Sequence, residues 1–112
     1  MRLEIRKYME DIRQASELLV RFTEGKRFED YNSDPLLRSG VERQFEIAGE
    51  ALNQLAQKDL AAAEKISDYR RIVAFRNRLI HGYHAVDDRV VWDIIERHLP
   101  TLRRDVEALL QE

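Results

Sequence analysis

The chain has 112 residues, 36% of them charged, with a formal net charge of −2 and no cysteine. That length suits a single domain, residues 1–112, with one core. The lack of cysteine excludes disulfides and thiolate metal sites, and the mild acidity excludes a strong nonspecific nucleic-acid binder, which would be basic overall. No segment is apolar over the roughly 18 residues needed to span a membrane. The mixed-charge start Met1–Lys7 lacks the apolar run of a signal peptide, so a cytoplasmic protein is expected.

The pattern is helical throughout, with only 4 Gly and 2 Pro and no sustained period-2 alternation. A first helix is expected from Leu3 to Glu24, where Ile5, Met9, Ile12, Ala15, Leu19 and Phe22 recur at three- and four-residue steps. Gly25 is its C-terminal stop, and residues 26–33 read as a loop. Asp34-Pro35 gives an N-cap followed by Pro at the first helical position. The second helix then runs from Pro35 to Gln57 on the face Leu37, Val41, Phe45, Ala48, Leu52 and Leu55. A short helical piece is expected from Leu60 to Ile66, favoured by three consecutive alanines.

Ser67-Asp68 reads as a second capping signal for a third helix, Asp68 to His81, with Ile72, Phe75 and Leu79 as its core stripe and Val73 and Ile80 at the edges. Gly82 is placed to end or bend it. Asp87-Asp88 opens the last helix, with Val91, Ile94, Ile95, Leu99, Leu102, Val106 and Leu109 inside. Pro100 must kink or split that helix. Helices joined by short loops pack as antiparallel neighbours, so the expected fold is all-α, an up-and-down four-helix bundle with a short extra helix and a Pro-kinked last helix.

The segment Arg76-Asn77-Arg78-Leu79-Ile80-His81-Gly82-Tyr83 carries the chemistry. Arg offers a planar fork of donors that matches phosphate and keeps its charge. His gives and takes protons near pH 7, and Tyr carries a hydroxyl that can be modified or can bond a phosphate. If the target is RNA, metal-free cleavage needs a base for the 2′-hydroxyl, an acid for the leaving oxygen and a cation for the charge building on phosphorus. His81 can serve as base or acid and Arg76 as stabiliser. Arg70, Arg71, Arg76 and Arg78 lie within nine residues; they read either as a solvated helix face or as phosphate contacts. No His-Glu-x-x-His pair or Cys/His cluster suggests a metal, and no cofactor is expected. Asp87 and Asp88 look like a helix cap.

On a straight helix Arg76 and His81 lie about 140° apart around the axis and about 7.5 Å along it, so they are not natural neighbours, whereas Asn77 and His81 share a face. A twofold dimer would remedy this by bringing two copies of each to one cleft. For His84 and His98 a surface or capping role is expected, and for Trp92 a place in the core.

Phe75-Arg76-Asn77-Arg78-Leu79-Ile80-His81-Gly82-Tyr83 resembles the signature of the HepT-like (DUF86) branch of the HEPN domains. Asp11-Ile12, Ala48-Gly49-Glu50-Ala51, Val91-Trp92-Asp93-Ile94 and Leu99-Pro100 agree with it, so the resemblance spans nearly the whole chain. It implies a homodimeric, metal-independent endoribonuclease, the toxin of a type VII-like toxin–antitoxin pair. Its composite site would lie at the dimer interface, with Arg76 and His81 as catalytic residues and Asn77 in support. The implied partner is a minimal nucleotidyltransferase of the MntA type that transfers AMP from ATP to Tyr83. Two other readings stand beside it. One is a noncatalytic subunit that presents nucleotide or substrate to a nucleotidyltransferase. The other is a helical dimer in which Arg76 only pairs with an acid such as Glu50 and His81 is a core imidazole.

Overall fold

The computed structural model of the protein describes residues 1–82 and 86–112. Among the described residues there are seven helices and no strand: α1 (Leu3–Thr23), α2 (Phe28–Ser33), α3 (Pro35–Lys58), α4 (Leu60–Glu64), α5 (Tyr69–His81), α6 (Asp88–Arg97) and α7 (Leu99–Leu110). The four long segments of the expected bundle are α1, α3, α5 and the α6–α7 pair. α3 is its centre, packed on α1 along one side and on α5 along the other, while α7 closes on the far side of α1.

Local signals set most boundaries. The Asp34 carboxylate accepts from the backbone N–H of Leu36 at 3.0 Å and of Leu37 at 3.2 Å, and Pro35 occupies the first turn. Asp59 caps α4 through Ala62, and Asp87 caps α6 through Arg89. Gly25 takes φ +72, the left-handed conformation that follows α1 and that side chains other than Gly resist. Gly82 ends α5 differently, with an extended backbone whose N–H still bonds the Arg78 carbonyl at 3.0 Å.

The expected apolar stripes meet in one core. Met9, Ile12, Leu19, Val41, Phe45, Leu52, Leu55 and Val106 are fully enclosed, and Ile72 and Phe75 join them from α5. Phe45 meets Phe75 edge-on at 5.2 Å between ring centroids, a favoured aromatic geometry that locks α3 to α5. Glu17 and Arg103 tie α1 to α7, with Arg103 Nε donating to Glu17 Oε1 at 2.8 Å.

Three details differ from the sequence reading. Residues 26–33 are not all loop, because α2 occupies Phe28–Ser33. Asp30 accepts from the Arg27 N–H at 2.8 Å, and Tyr31 is fully buried against Trp92 at 5.6 Å. That burial, with Glu42 and Asp88 nearby, pushes the Tyr31 phenol well above its ordinary range. Asp68 is not a side-chain cap. It sits at φ 57, a conformation Asp tolerates better than most residues, and its carboxylate faces His98 Nδ1 at 3.4 Å instead. Pro100 accompanies a break: the chain divides at His98, and Pro100 lies in the first turn of α7, where its missing N–H costs nothing. Trp92 is buried, as expected.

Candidate active site

α5 carries residues 76–81 of the motif, and its helical period distributes them over three faces. Ile72, Phe75 and Leu79 face the core. Arg76 lies on the flank toward α3, while Arg70, Ala74, Asn77, Arg78, Ile80, His81 and Gly82 are exposed. His81 closes the last turn of the helix and is open to solvent. The reading of His81 as a core imidazole is therefore incorrect. The other half of that reading, an Arg76–Glu50 pair, does occur.

Arg76 is held from several directions. Its stem crosses α3 at Gly49, so closely that a Cβ built on Gly49 would lie 2.3 Å from Arg76 Cβ and 2.7 Å from Cγ. Only glycine permits that approach. The guanidinium Nη2 then meets Glu50 Oε2 at 2.5 Å, and Gln54 Nε2 donates to the other Glu50 oxygen at 3.0 Å. Nη1 donates to Asn77 Oδ1 at 2.9 Å. Arg76 Nε is enclosed and has no hydrogen-bond partner among the described residues. Only 18% of the Arg76 side chain is exposed, so the fold fixes this cation.

The Asn77 contact eases the angular gap read from the sequence. Arg76 and His81 point to different faces, but the guanidinium reaches Asn77, which shares the face of His81 four residues on. One protomer thus joins the fixed cation to a carboxamide, with the open imidazole four residues further along the carboxamide's face.

A cleft of about 300 Å³ between α1, α3 and α5 opens beside Arg76, lined by Tyr8, Asp11, Glu46, Glu50 and Ile80 among others. Its acids are already engaged: Asp11 with Lys7, Glu46 with Arg43 and Glu50 with Arg76. Among the described residues no group of three or more His, Cys, Asp or Glu could hold a metal ion.

Arg70, Arg71 and Arg78 are exposed on the same helix. Arg70 Nε donates to the Tyr69 hydroxyl at 3.1 Å, and this contact raises the Arg70 pKa. Arg71 and Arg78 face α6 across a second groove. Tyr83 and His84 lie outside the described residues, and His98 precedes α7 without a side-chain capping bond, being mostly enclosed with its Nδ1 toward Asp68. The residues that position Arg76, Gly49 and Gln54, do not emerge from spacing. A glycine inside an otherwise strong helix is the signal that could have found the first.

Comparison with known proteins gives the family of the chain. The family model described as Ribonuclease HepT-like matches residues 12–109. A candidate RNase of Caldanaerobacter subterraneus subsp. tengcongensis is 35% identical over 107 residues, 96% of this chain and 95% of that one. A protein of Thermococcus cleftensis, named a probable ribonuclease HepT, is 35% identical over 102 residues, 91% of this chain and 92% of that one. Among solved structures, a tri-AMPylated HEPN toxin of Shewanella oneidensis in complex with an MNT antitoxin matches the fold over the whole of both chains, with a TM-score of 0.68 and 14% identity. On its fold and on this match over most of its length, the chain belongs to the ribonuclease HepT-like family.

Proposed function

We propose that the chain is the toxin of a HEPN/MNT pair, a metal-independent endoribonuclease whose site forms where two protomers meet. The observation that carries this reading is the contrast within the motif. Arg76 is fixed against Gly49, Glu50 and Asn77, while His81 stands open at the end of the same helix. In the reaction, one imidazole takes the proton from the 2′-hydroxyl, whose oxygen attacks phosphorus. The bond to the 5′-oxygen breaks as a second imidazole protonates it. The products are a 2′,3′-cyclic phosphate and a free 5′-hydroxyl. Arg76 stabilises the charge on the non-bridging oxygens, and Asn77 supports it. DNA lacks the nucleophile and is left intact.

A single protomer has one His81, so two proton-transfer groups require two chains. The exposed stripe of α5, with Ile80 at 43% exposure beside Asn77 and His81, suits a seam between two copies. Tyr83 is the adenylylation site in this reading, and the partner is a nucleotidyltransferase antitoxin, as in the complex of the Shewanella protein. Each AMP on Tyr83 adds a phosphate charge and a nucleoside, and this charge repels incoming RNA.

The test is incubation of purified protein with total RNA in excess chelator. Wild type is expected to cut, and Arg76→Ala and His81→Ala to lose cutting while staying folded. Equal cleavage by His81→Ala would refute the assignment. For the antitoxin half, Tyr83→Phe is expected to arrest growth even when the nucleotidyltransferase is coexpressed, and full rescue would contradict modification at Tyr83.

A further inference from the structure

On the flank of α5 opposite Arg76, Arg71 and Arg78 face Arg89 of α6 across a groove of about 400 Å³. Phe75, Val90 and Ile94 supply its apolar floor. Arg71 and Arg78 are seven residues apart, two turns, so their stems lie on one face of the helix about 10.5 Å apart along the axis. Neither makes an ion pair with any described residue. Asp93, also on the rim, is engaged by Arg97 at 2.7 Å. The groove is therefore cationic.

Arg89 is the informative member. Its guanidinium lies over the Phe28 ring at 4.1 Å from the centroid. The ring attracts the cation without consuming its N–H donors, which match a phosphate. The short helix α2, absent from the sequence reading, thus presents the ring that orients this cation.

We propose that the α5–α6 groove is the track for single-stranded RNA flanking the cleaved bond. Arg71, Arg78 and Arg89 contact successive phosphates, and the apolar floor receives a base. His81 lies three residues beyond Arg78 on the same helix, about one turn from the groove. Charge complementarity selects the occupant: three arginines around an apolar floor fit a polyanion with flat, hydrophobic bases better than an acidic or apolar protein helix. The inference rests on RNA being the substrate, as proposed above, and adds where the strand runs.

The test measures binding of a labelled, unstructured RNA oligonucleotide by fluorescence anisotropy over a salt series, in the His81→Ala background so that the probe survives. Arg71→Ala, Arg78→Ala and Arg89→Ala are each expected to lower the slope of log affinity against log salt by about 0.7, the value for one phosphate contact on a single strand. Phe28→Leu keeps the Arg89 charge but removes its stacking partner. It is expected to weaken binding with little change of slope. Arg21→Ala, on α1 and outside the groove, is expected to change neither.

Unaltered slopes in all three arginine variants would overturn the track, even if wild type cuts RNA. So would loss of the dimer in these variants, which would mark the groove as a protein interface. Expected slopes with a wild type that binds but never cuts would keep the track and remove the nuclease.

Discussion

The two ends of the Arg76–His81 segment are built on opposite principles. At the α3–α5 seam, Arg76 crosses a bare glycine and is bound to a carboxylate and a carboxamide, above the edge-on Phe45–Phe75 pair. At the C-terminal turn, five residues on, His81 is exposed and Gly82 ends the helix. On the function proposed above, the difference divides a catalytic task between a fixed and an open group. Charge stabilisation works best when donors are fixed before the reaction, so that none must reorganise. A proton-transfer group must instead meet its substrate, and in the proposed reaction the second one comes from another chain.

Substitutions that uncouple the two ends sharpen this contrast. The largest effect is expected for Phe45→Ala, which empties the seam. It should cost about 3–5 kcal/mol of stability, lower the melting temperature steeply and abolish activity, as calorimetry and circular dichroism would register. His81→Ala is the opposite case. Stability should stay within about 0.5 kcal/mol, while cleavage falls by about 10²–10⁴-fold. A large loss of stability in His81→Ala would break the comparison.

Gly49→Ala tests the seam without touching a chemical group. The new methyl must displace Arg76 or part the helices, at a cost of about 1–3 kcal/mol. Misplacing the guanidinium by about 1 Å should reduce cleavage by up to about 10²-fold. Glu50→Ala is milder. The pair is partly exposed, with 44% of the Glu50 side chain open, so stability should change by under about 1 kcal/mol. Cleavage should fall less than in Gly49→Ala.

The smallest effect lies away from the site. Hydrogen bonds from Arg103 hold the Glu17 carboxyl below its ordinary value of 4.5. A depressed carboxylate pKa stabilises the fold above the unfolded value, and that contribution disappears as pH falls through the folded one. Arg103→Ala should therefore lower the melting temperature at neutral pH, and the difference should close in acid.

Much of this was legible in the sequence because helices repeat their apolar residues. The stripes of α1, α3 and α6–α7 and the caps Asp34 and Asp87 follow from local chemistry. α2 escaped because six residues carry only Phe28 and Tyr31, too few for a period; its stability comes from Tyr31 packing on Trp92, far along the chain. Asp68 has the composition of a cap but a left-handed backbone directs its carboxylate to His98. Arg76 and His81 stood out by residue type and by resemblance, and an Arg76–Glu50 pair was among the readings, whereas the close crossing at Gly49 and the bond from Gln54 to Glu50 were not. Gly49 and Glu50 act on it across an interhelical contact that no sequence spacing encodes.

The most direct measurement follows the rate of RNA cleavage per chain as the protein is diluted, with the dimer fraction recorded alongside. Activity is expected to fall in step with the dimer and to return on concentration, because both proton-transfer groups are needed at one phosphate. Full activity per chain from a monomeric population would contradict a site shared between two protomers.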